Sequence, residues 1–224
     1  MQKIVKEFNV YNFDELKEES KQVAIDNEKQ YQEEYYCEHA LLDNMNCKAS
    51  ELLEDYFNIE NAINNVYYDL SYSQGSGAMI EFTINIEDLN NKYHIYNEEE
   101  MKLIKDKGIV NDINIFHNDN YYYHEYTFGI NYNDNFGYYD YEDIKDDYNI
   151  TKKQFDTMED RIIKLLDTYN KHYTDSQFVK DIINMNGDLK NYGEKEIEYW
   201  WEDENVIEYC KEHTYFEDGK IYEW

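Results

Sequence analysis

Two short stretches carry residues whose types and spacing could handle protons or anions. Gln74-Gly75-Ser76-Gly77-Ala78 sets two glycines one residue apart, and Tyr122-Tyr123-His124-Glu125 sets an imidazole among two phenols and a carboxylate. Glycines leave the amides of such a loop uncovered by side chains, so it could cradle a phosphate. A phosphate loop, however, ordinarily opens a helix and carries a lysine, and this one joins two predicted strands and has neither. A turn required for packing, with Gln74, Gly75 and Gly77 as its structural residues, is the plainer reading. His124 could serve as a general base beside Gln74 if the two strands are neighbours in a sheet. A catalytic reading would therefore gather Gln74, Ser76, Tyr123 and His124, against the bland reading of a histidine hydrogen-bonded in a tyrosine-rich core. Strand alternation would place Tyr122 and His124 on one face and Tyr123 and Glu125 on the other. His117 and Asp119 fall in a predicted turn with no matching partner.

Cys37-Glu38-His39, with Cys47, is the one local cluster that suggests zinc. On a helix, residues two apart point about 200° away from each other, so these could not share one ion without unwinding. No metal and no cofactor is expected. The three cysteines form no CxxC pair and do not read as a disulfide framework, which fits a reducing cytoplasm.

The chemistry with the widest reach is charge. Fifty acidic residues face 21 basic ones, a formal net charge of −29, and Arg161 is the only arginine. Phosphate contacts need clustered lysine and arginine, so direct nucleic-acid binding is not expected. A protein partner with a basic groove is favoured. Acidic runs meet aromatic clusters at two places. One joins Asp140, Glu142, Asp143, Asp146 and Asp147 to Tyr138, Tyr139 and Tyr141; the other joins Glu196, Glu198, Glu202, Asp203 and Glu204 to Tyr199, Trp200 and Trp201. A charge run alone is usually a solvated face, but exposed tyrosine and tryptophan are what interface hot spots are made of. These two sets are the predicted partner-binding residues.

The elements that position these residues follow from periodicity. At 42% hydrophobic, the 224 residues can build a core, with 26 tyrosines suited to its edge. Val66, Tyr68, Leu70 and Tyr72 alternate with polar residues before the glycine turn, as Ile80, Phe82, Ile84 and Ile86 do after it, predicting a central hairpin. A first strand is predicted over 3–11, then a helix capped by Asn12 with the stripe Phe13, Leu16, Val23, Ala24, Asn27 and Tyr31, and a short helix over 49–57. Further on come a helix over 98–105, strands over 109–116 and 121–132, and a loop with at most an edge strand over 133–148. The strongest helix signal starts at Thr151, where Gln154 completes a capping box and Phe155, Met158, Ile162, Leu165, Leu166, Tyr169 and Tyr173 make one face. Helices over 176–185 and 194–212 and a terminal hairpin turning at Asp218-Gly219 complete the chain. The expectation is a single α+β domain over 1–224, a mainly antiparallel sheet packed against several helices. A division into a sheet-bearing 1–148 and a helical 149–224 is the possible refinement. No apolar run approaches the roughly 18 residues of a membrane span, and no signal segment is recognised.

The opening VYNFDELKEESKQVAID, the turn YSQGSGA, the strand NDNYYYHEYTF and the ending YFEDGKIY resemble, in that order, a broad family of uncharacterised bacteriophage and mobile-element proteins. There the pieces read approximately Y-x-F-D-E-L, S-Q-G-D-G-A, Y-Y-H and F-x-x-D-G. Ser76 stands where that family usually has an acid, so a role for that carboxylate does not carry over. The resemblance implies a phage setting, in which small acidic proteins often look like inhibitors of host defence, anti-CRISPR proteins included. The reading is thus a cytoplasmic, non-enzymatic inhibitor of a basic, nucleic-acid-handling host defence protein such as a CRISPR–Cas effector. The alternatives are an enzyme acting on a small nucleotide or phosphorylated signal, and an antitoxin-like neutraliser of a basic toxin. Tyrosine-rich edge strands also leave self-association open.

Overall fold

The computed structural model describes residues 7, 9–35, 40–60, 63–71, 75–118, 122–133 and 135–222. Its elements in chain order are β1 (Tyr11–Asn12), α1 (Glu18–Tyr35), α2 (Leu41–Phe57), β2 (Ile63–Asp69), β3 (Gly77–Asn85), α3 (Ile86–Tyr93) and α4 (Glu98–Lys107). There follow β4 (Asp112–His117), β5 (Phe128–Tyr132), α5 (Tyr141–Tyr148), α6 (Lys152–Leu166), α7 (Gln177–Trp201), α8 (Asp203–Cys210) and β6 (Thr214–Tyr215). The fold is α+β, with an antiparallel four-stranded sheet in the order β2-β3-β4-β5 and a two-stranded pair β1-β6. Contacts group residues 1–43 with 193–224 in one compact unit and 44–192 in a second, where the sequence suggested one domain or a division near 148.

In the second unit the alternation of the hairpin arms sets the register. Tyr68 pairs with Ala78 and Val66 with Ile80, and Ala78, Ile80, Phe82 and Ile84 turn to a core shared with Ile113 and Ile115. Phe57 of α2 packs its ring 5.3 Å from Phe82 and 5.8 Å from Phe178 of α7, so helices before and after the sheet bury its inner face. The last residue of the second arm in the alternation, Ile86, is already helical. Asn85 accepts the Asp88 N–H at 2.9 Å and starts α3 there, an N-cap that strand alternation concealed.

Other departures have equally local causes. Residues 141–148, expected as loop, form α5 because Asp140 accepts the Glu142 N–H and Ile144 is buried. The predicted strand over 121–132 keeps only β5. The face of α6 ends at Leu166, leaving Tyr169 in a loop at 97% exposure and Tyr173 at the end of a 3-10 turn over 171–173 at 85%. The helices expected over 176–185 and 194–212 meet in one 25-residue α7, with α8 apart. Gly187 costs about 1 kcal/mol inside a helix, which buried Phe178, Val179, Ile182, Met185 and Leu189 at helical spacing outweigh.

In the first unit, most of the strand expected over 3–11 lies outside the described residues, and β1 is only two residues. Asn12 donates its N–H to Glu15 as the capping pattern requires, but the turn it starts is a 3-10 turn over 13–15 that ends in extended Leu16. Because α1 begins only at Glu18, its phase differs from the predicted stripe. Val23, Asn27 and Tyr31 are exposed, and the buried row is Ala24, Glu28 and Gln32. Gln32 donates to Glu28 Oε1 at 2.7 Å, and Ala24 joins a cluster with Phe13, Leu16, Val206, Cys210 and Tyr215. The terminal hairpin forms as expected, with Gly219 at φ 85° and Tyr215 bridged to Ile221.

Candidate functional site

The glycine turn and the tyrosine–histidine stretch come together in the second unit, through backbone rather than through catalytic side chains. Tyr123 donates its N–H to Gly75 O at 3.0 Å, and its carbonyl rests against Gly77 so closely that a Cβ there would lie 2.0 Å from the oxygen. Tyr72, Ser73 and Gln74 lie outside the described residues, so the pairing of His124 with Gln74 falls with them. Ser76 is buried and His124 half-buried.

Residues 122–127 do not extend β5. Pairing of β3 with β4 runs only from Phe82–Ile115 to Asn85–Asp112, and beyond it the sheet opens. The gap is bridged by Asn186 of α7, which is fully buried. Its Oδ1 accepts the Ile80 N–H at 3.1 Å and its Nδ2 donates to Glu125 O at 3.2 Å. The amide side chain thus replaces a strand's donor and acceptor at one rung.

Neighbouring carbonyls of this segment are held in turn. His117 Nε2 meets Tyr122 O at 2.9 Å; His124 O accepts from Thr127 N at 2.8 Å and Thr127 Oγ1 at 2.6 Å; Asn118 N–H donates to Thr127 O. Lys171 Nζ donates to Tyr126 O at 2.7 Å and also to Phe128 O, with the ammonium 3.9 Å from the Phe128 ring centroid. Burial pushes the Lys171 ammonium down to about 8. The side chains are fixed by stacking. His117 lies between Tyr67, at 4.7 Å and 19°, and Tyr123, at 5.2 Å and 14°, while Tyr122 stacks on His124 at 6.0 Å and 7°. Tyr122 and His124 therefore do share a side, as alternation foretold, although the segment is no strand. His117, expected to lack a partner, is the centre of a three-ring stack at the end of β4. The arrangement gives a rigid surface of imidazoles and phenols.

The two acidic–aromatic sets lie in different units. In the second unit Phe136, buried 5.8 Å from the Phe155 ring, and buried Ile144 anchor the stretch 136–148. Tyr138 is 83% exposed, Asp140, Glu142, Asp146 and Asp147 are exposed, and Tyr139 and Tyr141 are half-buried, Tyr139 donating its hydroxyl to Lys107 O at 2.7 Å. Glu142 is paired with Lys145. Asp143 lies in α5, and its side chain is outside the described set. In the first unit Trp200 is half-buried, stacked 5.4 Å from Tyr209, with Tyr199 edge-on to it at 6.0 Å. Tyr199 and Trp201 are exposed beside exposed Glu198, Glu202, Asp203 and Glu204; Glu196 is half-buried and Asp203 pairs with Lys29.

The suspected zinc cluster at 37–39 lies outside the described residues, and Cys47 is an exposed free thiol on α2. Among the described residues no group of three histidine, cysteine or acidic side chains could hold a metal ion, and no helix is long and apolar enough to cross a membrane. Compared with protein-family models, curated proteins and solved structures, the chain matches none.

Asn186 and Lys171 were not singled out in the sequence, and His117 was expected to lack a partner. Asn186 had a signal, since an asparagine in the middle of an apolar helical stripe must find partners for its amide. Lys171 had none, because the carbonyls that hold it belong to residues more than 40 positions away.

Proposed function

We propose that the protein is a non-enzymatic acidic inhibitor that occupies the basic groove of a nucleic-acid-handling protein, in the phage setting a host defence effector of the CRISPR–Cas kind. The observation that carries this reading is the exposure of Tyr138 on one unit and of Tyr199 and Trp201 on the other, each standing among solvated carboxylates. Large aromatic rings left in water supply the contact area of hot spots. The surrounding charge steers a basic partner and competes with a phosphate backbone for its lysines and arginines.

The test is competition. The purified chain is mixed with a basic effector nuclease of the host, and nucleic-acid binding by the effector is followed as salt rises. Displacement of the nucleic acid at low salt, lost at high salt and lost in the Tyr199→Ala/Trp201→Ala and Tyr138→Ala variants, supports the proposal. Displacement that ignores both salt and these substitutions would sink it.

A further inference from the structure

One cleft is richer in cationic side chains than the rest of the chain. It lies in the second unit between the end of α3, the last turns of α6 and the loop 167–175, has a volume of about 730 Å³, and takes in Tyr93, His94, Arg161, Lys164, Tyr169 and Tyr173. Acids outnumber bases 50 to 21 in the chain, yet here the sole arginine, a lysine and a histidine share the lining with two carboxylates, Asp167 and Asp175, while the buried Glu100 pairs with Arg161 from behind. Asp167 already spends Oδ1 on the Tyr169 N–H at 2.9 Å.

Three of the five Arg161 N–H groups are committed, to Thr157 O, Ile95 O and the buried Glu100 carboxylate. The guanidinium is thereby held in place in the cleft lining, with its charge balanced and two N–H groups without a partner among the described residues. Lys164 is exposed and forms no ion pair among the described residues, so its ammonium is the unspent cation. The Tyr93 hydroxyl is taken by Asp181 at 2.7 Å, so only its ring serves the cleft. Tyr169 and Tyr173 project almost wholly into water from a segment tied down by Tyr173 N–H to Asn170 O and by the Lys171 ammonium to Phe128 O of β5.

We propose that this cleft binds a small anion carrying a planar ring, of the nucleoside monophosphate class. Lys164, with His94 and the spare Arg161 N–H groups, receives the phosphate, and the ring stacks against Tyr169 and Tyr173. A cleft of this size lies within the range that small ligands occupy. The inference is independent of partner binding, which uses Tyr138, Tyr199 and Trp201.

Calorimetric titration of the full chain with AMP, adenosine and inorganic phosphate tests it. AMP should saturate with a Kd below about 1 mM, and adenosine and phosphate should each bind at least about tenfold more weakly. Lys164→Gln should cost about tenfold for AMP and leave adenosine unchanged. Tyr169→Ala/Tyr173→Ala should cost AMP about tenfold without touching phosphate. All three side chains are exposed, and unchanged circular dichroism checks that the variants fold. The proposal is overturned if AMP fails to saturate by about 10 mM, if adenosine or phosphate matches it, or if either variant binds AMP like the parent.

Discussion

The carbonyl of Tyr123 occupies the space that a side chain on Gly77 would need. An ideal Cβ there would come within 2.0 Å of the oxygen and 2.6 Å of the carbonyl carbon, and both belong to backbone that Gly75 O also holds. The absence of a side chain at 77 is thus what lets the 122–127 segment lie on the hairpin. Gly77→Ala should destabilise the second unit by about 1–3 kcal/mol, the cost of overpacking that the backbone must relieve. Urea unfolding would show it. A neutral result would mean that the two segments separate freely.

Asn186 holds a buried donor, Ile80 N–H, and a part-buried acceptor, Glu125 O, that have no strand to pair with. Asn186→Ala should cost about 2–5 kcal/mol, the sum of two stranded backbone groups. Native-state hydrogen exchange should show the Ile80 amide losing protection ahead of the Phe82 and Ile84 amides, which lie in the closed part of the sheet. Equal loss across β3 would argue against a local bridge.

Lys171 makes a pH prediction. Burial lowers its folded pKa from 10.5 to about 8, so between those values the unfolded chain binds more protons than the folded one. Its contribution to stability therefore rises with pH across that window and is constant well below it. Lys171→Met keeps the apolar contact with Phe128 and removes the titration. The stability difference between parent and variant should shift toward the parent as pH goes from about 7 to about 10. A difference independent of pH would show that Lys171 is solvated. Tyrosines ionising at the alkaline end cancel in the comparison.

Arg161 and Glu100 form an ion pair with the Glu100 side chain only 3% exposed. Arg161→Met leaves that carboxylate buried without its cation and should cost about 3–5 kcal/mol. Adding Glu100→Leu should recover most of the loss, since an apolar pair of similar volume replaces a buried ion pair at little net cost. Thermal unfolding of the two single variants and the double variant closes the cycle, and additive losses would mean that the pair is not coupled.

Much of the α+β architecture is written in local pattern. The central hairpin, the capping box at Thr151 and the Asp218-Gly219 turn all arise from residues within a few positions of one another. Period two, period 3.6 and cap chemistry act over that range, which is why the sequence alone could place them. So too with the excess of carboxylates, a property of composition.

Phase and partnership belonged to the tertiary structure. The buried row of α1 runs through Glu28 and Gln32, polar residues that pair with each other and are invisible to an apolar count. The stretch 122–127 has strand composition but lies beyond the closed part of the sheet, so its carbonyls go to Asn186, Lys171 and Thr127 instead. Which aromatics stay in water, Tyr138 and Trp201 but not Tyr215, depended on what folded over each of them. Burial is set by groups distant along the chain, and no window of neighbouring residues contains them.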